Sequence, residues 1–123
     1  MPQINIIGEG KASFGDFVVF SAIIKLKHSY LTLVTDQEEY GIGTLTLATA
    51  PNELFESKGA ASSPYNFFGL KYNLLTNVIS KMLSKELKKP AMVMLLIKKE
   101  GIKSEIVMKT VVKAVKNALD NTN

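Results

Sequence analysis

Gly8-Glu9-Gly10-Lys11-Ala12-Ser13 is the stretch of this chain that comes nearest to a phosphate-binding loop. Such a loop needs a glycine five residues before the Gly-Lys pair and Ser or Thr directly after the lysine, so that backbone N–H groups cradle the phosphates. Asn5 and Ala12 hold those places, and an alternating apolar stretch follows instead of a helix. A strand end or bulge is expected there. His28 is the single histidine and lies in a Lys27-His28-Ser29 turn. Zinc usually takes four ligands, and a general base needs a positioned nucleophile; neither accompanies His28, which is expected to face solvent. Asp36, Glu38 and Glu39 lie close together, but paired carboxylates do acid–base work only where a pocket separates their pKa values. Neighbours in an exposed connection are solvated. The reading is of a non-enzyme with no catalytic residue, metal site or cofactor.

Binding is a better use for the residues that remain. Lys109, Lys113 and Lys116 recur at helical spacing and form one basic ridge, with Lys81, Lys85, Lys88 and Lys89 on a preceding helix. Such a ridge either stays solvated or docks on an acidic protein surface. Tyr65 and Phe67 follow the small polar run Glu56–Pro64, and aromatic side chains dominate interface energetics. Phe68, before Gly69, reads as a core anchor. The candidate partner-binding residues are therefore Tyr65, Phe67, Lys109, Lys113 and Lys116.

The elements that must position these groups follow from periodicity. Strands are expected over Gln3–Gly8, Asp16–Lys27, Tyr30–Thr35 and Ile42–Ala50. In the second, Phe20, Ala22, Ile24 and Leu26 share one face, while Val19, Ser21, Ile23 and Lys25 share the other. Short connections between the strands favour an antiparallel meander. A mobile loop is expected over about 52–66. Leu75, Val78, Ile79, Met82 and Leu83 mark a helix over about 73–88, with Asn77, Lys81, Ser84 and Lys85 opposite; Pro90 ends it. Ala91–Ile97 is almost continuously apolar, as expected of a central strand covered on both faces. After Gly101, Ser104 is the expected N-cap of a second helix over about 104–120, with Val107, Val111, Val115 and Ala118 on its apolar side. The fold class is α+β: a mainly antiparallel sheet of about five to six strands with two helices packed on it, in one domain over 1–123.

Composition narrows the function. The 123 residues are 46% hydrophobic, enough for a core without staples, and no cysteine is present, which removes disulfides and thiol chemistry. Residues 1–70 carry four lysines against seven acids, whereas residues 71–123 carry eleven lysines against four. All fifteen basic residues are lysine. Arginine makes most bidentate contacts to phosphate and guanine, so its absence argues against sequence-specific nucleic-acid binding. No segment reaches the roughly 18 apolar residues of a membrane helix, and the first residues lack the order of a secretory signal. The expected location is the cytoplasm, with the nucleus as an additional one.

The order and spacing of these elements resemble the small eukaryotic proteasome-assembling chaperones, the third and fourth of that series, the fourth being the closer match. The resemblance runs over about residues 15 to 120. It is carried by Phe20–Leu26 with Tyr30–Val34, by Leu45–Ala48, by a polar loop closing on Phe67-Phe68-Gly69, by Leu83–Leu95 and by the helix from Ser104. The last helix is basic where the family would be expected to be acidic. The resemblance implies a chain that dimerises with a paralogous proteasome-assembling chaperone, or with itself when isolated. It implies binding to α-type subunits of the 20S proteasome, notably the fifth, and promotion of α-ring formation without catalysis, metal or nucleotide. The alternative from the scaffold alone is a protein-interaction adaptor of the longin or roadblock type. Those adaptors usually place a helix between early strands, and here the strands up to Ala50 run without one.

Overall fold

A computed structural model describes residues 1–49, 65–68 and 71–122. The chain order is β1 (Asn5–Phe14), β2 (Phe17–Lys25), β3 (Tyr30–Thr35), β4 (Thr44–Ala48), β5 (Tyr65–Phe68), α1 (Asn73–Leu87), β6 (Ala91–Leu96) and α2 (Ser104–Asp120). The strands form one six-stranded sheet in the order β1-β2-β3-β6-β4-β5. Fold class and both helices agree with the sequence reading.

The first strand of the hairpin β1–β2 runs further than expected. Gly8–Lys11 lies within a ten-residue strand, not at a strand end, and the bulge expected as the alternative is present where the register shifts between Ile6 and Gly8. The hairpin closes on Gly15, whose φ of 59° is a conformation that costs glycine little. Gly8 and Gly10 face α2 at very short range. A Cβ at Gly10 would lie 2.2 Å from the Ala114 carbonyl oxygen, and one at Gly8 would lie 2.3 Å from that of Ala118. These glycines therefore let a helix settle onto a strand.

The meander is also corrected. β6 inserts between β3 and β4, parallel to β3 and antiparallel to β4. A parallel pair needs a crossover, and α1 lies on the path that leads the chain back into the sheet. As expected, β6 is an interior strand.

Both helices pack on the same side of the sheet, α2 over β1 and β2 and α1 over β4 and β6. Helix α2 buries Val107, Val111, Val115 and Ala118 as its spacing predicts. On α1, Leu75, Ile79 and Leu83 are buried, but Val78 is 44% exposed, while Thr76, Ser80 and Ser84 are buried instead. The apolar stripe is narrower than the sequence suggests because small hydroxyl residues bring α1 close to the sheet. Their oxygens are satisfied: Thr76 Oγ1 lies 2.7 Å from Thr46 Oγ1 of β4, and Ser84 Oγ donates within the helix to the Lys81 carbonyl at 3.1 Å. Ser104 is the first helical residue of α2, not its cap; Lys103 holds the cap position with no side-chain hydrogen bond. Helix α1 ends one residue early because Lys88 turns left-handed, its N–H donating to the Ser84 carbonyl.

Candidate protein-interaction surface

The side of the sheet away from the helices is the surface that stands out. Pleating alternates side chains between the two faces, so the strand register assigns each residue. Phe17, Val19, Ser21 and Ile23 of β2 face the helices and are buried. Their alternates lie on the open face. One cross-strand row there reads Ile6, Ile24, Leu31, Met92, Leu47. The next reads Glu9, Ala22, Leu33, Met94, Leu45, and the third Lys11, Phe20, Thr35, Leu96. Across the four strands β2, β3, β6 and β4, Thr35 is the polar exception in these rows. Its hydroxyl is already used, donating to the Leu96 carbonyl at 2.8 Å and accepting from the Gln37 N–H at 3.1 Å. Among the described residues, no helix or strand covers this face; the segment before β4 reaches its edge, where the Gly43 N–H donates to Met94 Sδ at 3.3 Å.

An antiparallel sheet that meets water on one side normally alternates apolar with polar residues. Here the side away from the helices is apolar, while the helix side mixes apolar residues with buried Ser21, Thr32, Thr44 and Thr46. With strands about 4.8 Å apart and rows about 6.8 Å apart, the central patch spans on the order of 400 Å² of sheet. Contiguous apolar patches of a few hundred Å² on a monomer are often functional. The expectation that β6 is covered on both faces is thus half fulfilled: Ala91, Val93 and Leu95 lie under the helices, while Met92, Met94 and Leu96 remain half-buried on the open side.

The rim of the face is charged. Beyond β3, Asp36 ties the segment that leaves the sheet to the end of β6, accepting from the backbone N–H groups of Lys98 and Lys99 at 2.9 and 2.8 Å and from Gln37 Nε2 at 3.0 Å. Burial works against its charge, but the hydrogen bonds from Gln37, Lys98 and Lys99 prevail and hold the carboxyl below its ordinary value. Tyr40 lies near enough to Glu9 for the two to interact; burial, and then that negative charge, raise its phenol above the usual value. Between them opens a cavity of about 520 Å³ lined by Phe20, Thr35, Asp36, Gln37, Glu38 and Tyr40.

At the β1 edge, Asn117 Nδ2 and Asn121 Nδ2 of α2 donate to the carbonyls of Lys11 and Glu9 at 2.8 and 2.9 Å. An unpaired strand edge is a template for another strand, and α2 occupies part of this one.

The residues singled out from sequence do not converge. Lys109, Lys113 and Lys116 are exposed on α2, in the helical layer behind the sheet. Tyr65 lies on β5, the sheet edge opposite β1, its backbone paired with Leu47 of β4, and Phe67 falls at a register shift; the side chains of Tyr65, Phe67 and Phe68 lie outside the described residues, as do residues 52–64 of the loop expected over about 52–66, whose last two residues belong to β5 instead. His28 is exposed in the turn closed by the Leu26 N–H and the Ser29 carbonyl, as expected. No group of potential metal ligands occurs among the described residues. The open face itself was missed as a site. Its signal was present in two strands whose alternate positions are both apolar, β2 and β6.

A scan against known protein families finds no match to this chain, and a search of curated proteins finds none either. Among solved structures, the chain is similar to one from a chaperone complex for yeast 20S proteasome assembly. The superposition has a TM-score of 0.61 and covers 94% of this chain and 98% of the other, at 11% identity. At that identity the likeness is one of fold, and it extends over most of the chain.

Proposed function

We propose that this chain is a non-catalytic subunit of a 20S proteasome assembly chaperone. It pairs through the open face of its sheet with a paralogous small chaperone, and the pair binds α-type proteasome subunits, notably the fifth, to promote α-ring formation. The observation that carries the reading is the apolar, helix-free sheet face on a fold shared with a chain of a proteasome-assembly chaperone complex. A second sheet laid on that face at the usual ~10 Å separation would bury both apolar layers. Pairing leaves the lysines of α1 and α2 on the outside, free to meet an acidic surface of a proteasome subunit, where charge complementarity favours encounter and register. The work is physical: cover exposed subunit surface, disfavour wrong neighbours, and leave as the particle matures. Such a role belongs in the cytoplasm, and in the nucleus as well.

The test is affinity capture of the tagged chain from its own cells in mild salt, with mass spectrometry of what accompanies it. A second small chaperone together with α-type subunits, and no mature β subunits, is the expected result. Recovery of a pairing partner without any proteasome subunit would overturn the assembly role while leaving the pairing surface intact.

A further inference from the structure

We propose that the cavity between Phe20 and Tyr40 receives a lysine or arginine side chain from the chain that covers the open face. The inference rests on reading that face as a pairing surface, and it names what anchors the pair and selects the partner.

Phe20 closes the third row of the open face, and the cavity continues directly from it. Two aromatic rings wall it, and both stay accessible: Phe20 is 37% exposed and Tyr40 39%. Its lining holds two carboxylates and, among the described residues, no lysine. The two acids are not equivalent. Asp36 already accepts three hydrogen bonds, whereas Glu38 is exposed and has no ion-pair partner among the described residues. Glu38 is therefore the group left to meet a cation.

Phe20 shows that its ring takes one. It also borders a neighbouring hollow lined by Glu9, Lys11, Asn117 and Asp120, and there the Lys11 ammonium lies 5.8 Å from the ring centroid. A cation over an aromatic ring is attracted by the ring quadrupole. One hollow beside Phe20 thus contains a lysine of this chain. The other has the same ring, a second ring and unmatched negative charge. A long basic side chain fits that chemistry, its stem against Phe20 and Tyr40 and its head at Glu38. An apolar residue would leave Glu38 facing a desolvated neighbour, and an acidic one would be repelled. Because the cavity opens at the rim of the apolar face, such a side chain arrives with whatever protein lies on the sheet.

Two measurements test this. In the first, the isolated chain, held at a concentration where sedimentation shows single chains, is titrated with N-acetyl-lysine methylamide, N-acetyl-arginine methylamide and neutral N-acetyl-glutamine methylamide. NMR signals of Gln37, Glu38 and the Phe20 and Tyr40 rings should move and saturate with the cationic probes only, and Glu38→Gln should weaken that response. Equal shifts with the neutral probe, or no response to either cation, would overturn the assignment. In the second, Glu38→Lys should reduce the partner chaperone recovered by affinity capture about tenfold and lower its salt dependence, as expected for a charge at an interface rim. Glu39→Lys makes the same charge change one residue away, outside the lining, and should leave recovery unchanged. Equal losses from both variants would mean general charge attraction and no cavity. If the unaltered chain recovers no partner, the functional reading fails, while the probe titration still decides the cavity on its own.

Discussion

Leu33 sits at the centre of the open face, between Ala22 of β2 and Met94 of β6, and its replacement by glutamate separates folding from pairing. In the single chain the side chain is more than half buried. Losing that share of the ~1.5–3 kcal/mol that full burial of a leucine provides costs about 1–2.5 kcal/mol. For a domain of this size that lowers the melting temperature by roughly 3–12 °C, leaving the fold intact. Under a second sheet the same carboxylate would lie among apolar side chains with no partner. An uncompensated buried charge costs about 3–5 kcal/mol, so the dissociation constant of the pair should rise at least ~100-fold. Circular dichroism melts give the first quantity, and sedimentation of the chain with its captured partner gives the second. A folded Leu33→Glu chain that pairs with undiminished affinity would refute the assignment of the face. A chain that no longer folds would refute the argument from the other side, because Leu33 would then belong to the core of the single chain.

Other consequences can be checked separately. Gly10→Ala should destabilise the chain by about 3 kcal/mol in urea titration, because the added methyl meets the Ala114 carbonyl and the Ala118 backbone nitrogen at 2.2 and 2.4 Å and α2 must lift. Asp36 is held below its ordinary value, so its stabilising share is present above the unfolded value of about 3.9 and lost as pH falls through the lower folded one. Asp36→Asn should therefore flatten the acid limb of a plot of urea midpoint against pH. Charge reversal of Lys109, Lys113 and Lys116 together should leave melting and pairing close to unchanged, since all three are exposed on α2 behind the sheet, while reducing recovery of α-type subunits. Unchanged recovery would remove the basic ridge from the docking surface.

Much of the fold was legible because local patterns report local structure. The four-residue spacing of Leu75, Ile79 and Leu83, and of Val107, Val111 and Val115, fixed two helices to within a residue at each end. The alternation in Phe17–Lys25 sorted that strand correctly into two faces. Errors arose where a neighbour distant in sequence decides. Gly8 and Gly10 read as a strand end or bulge, and their place inside a long strand shows only when α2 is laid across them. Ser84 reads as solvent-facing until the sheet is placed beneath α1. Asp36 reads as one acid in an exposed connection, and its role depends on two N–H groups more than sixty residues away.

The candidate site was less legible for the same reason. Individual residues, including the lysine ridge, were placed correctly as exposed, but exposure does not make a surface. The amino-acid order by itself determined the class of fold, the two helices, the interior position of β6 and the lack of a recognisable catalytic motif, because hydrophobic periodicity and residue chemistry act over a few residues. The tertiary structure alone decided that β6 enters beside β3, that both helices lie on one side, and that Leu33, Met94 and Leu45 line up on the other. An apolar strand reads the same whether it has one covered face or two; only the packing of the remaining elements shows which face is left for a partner.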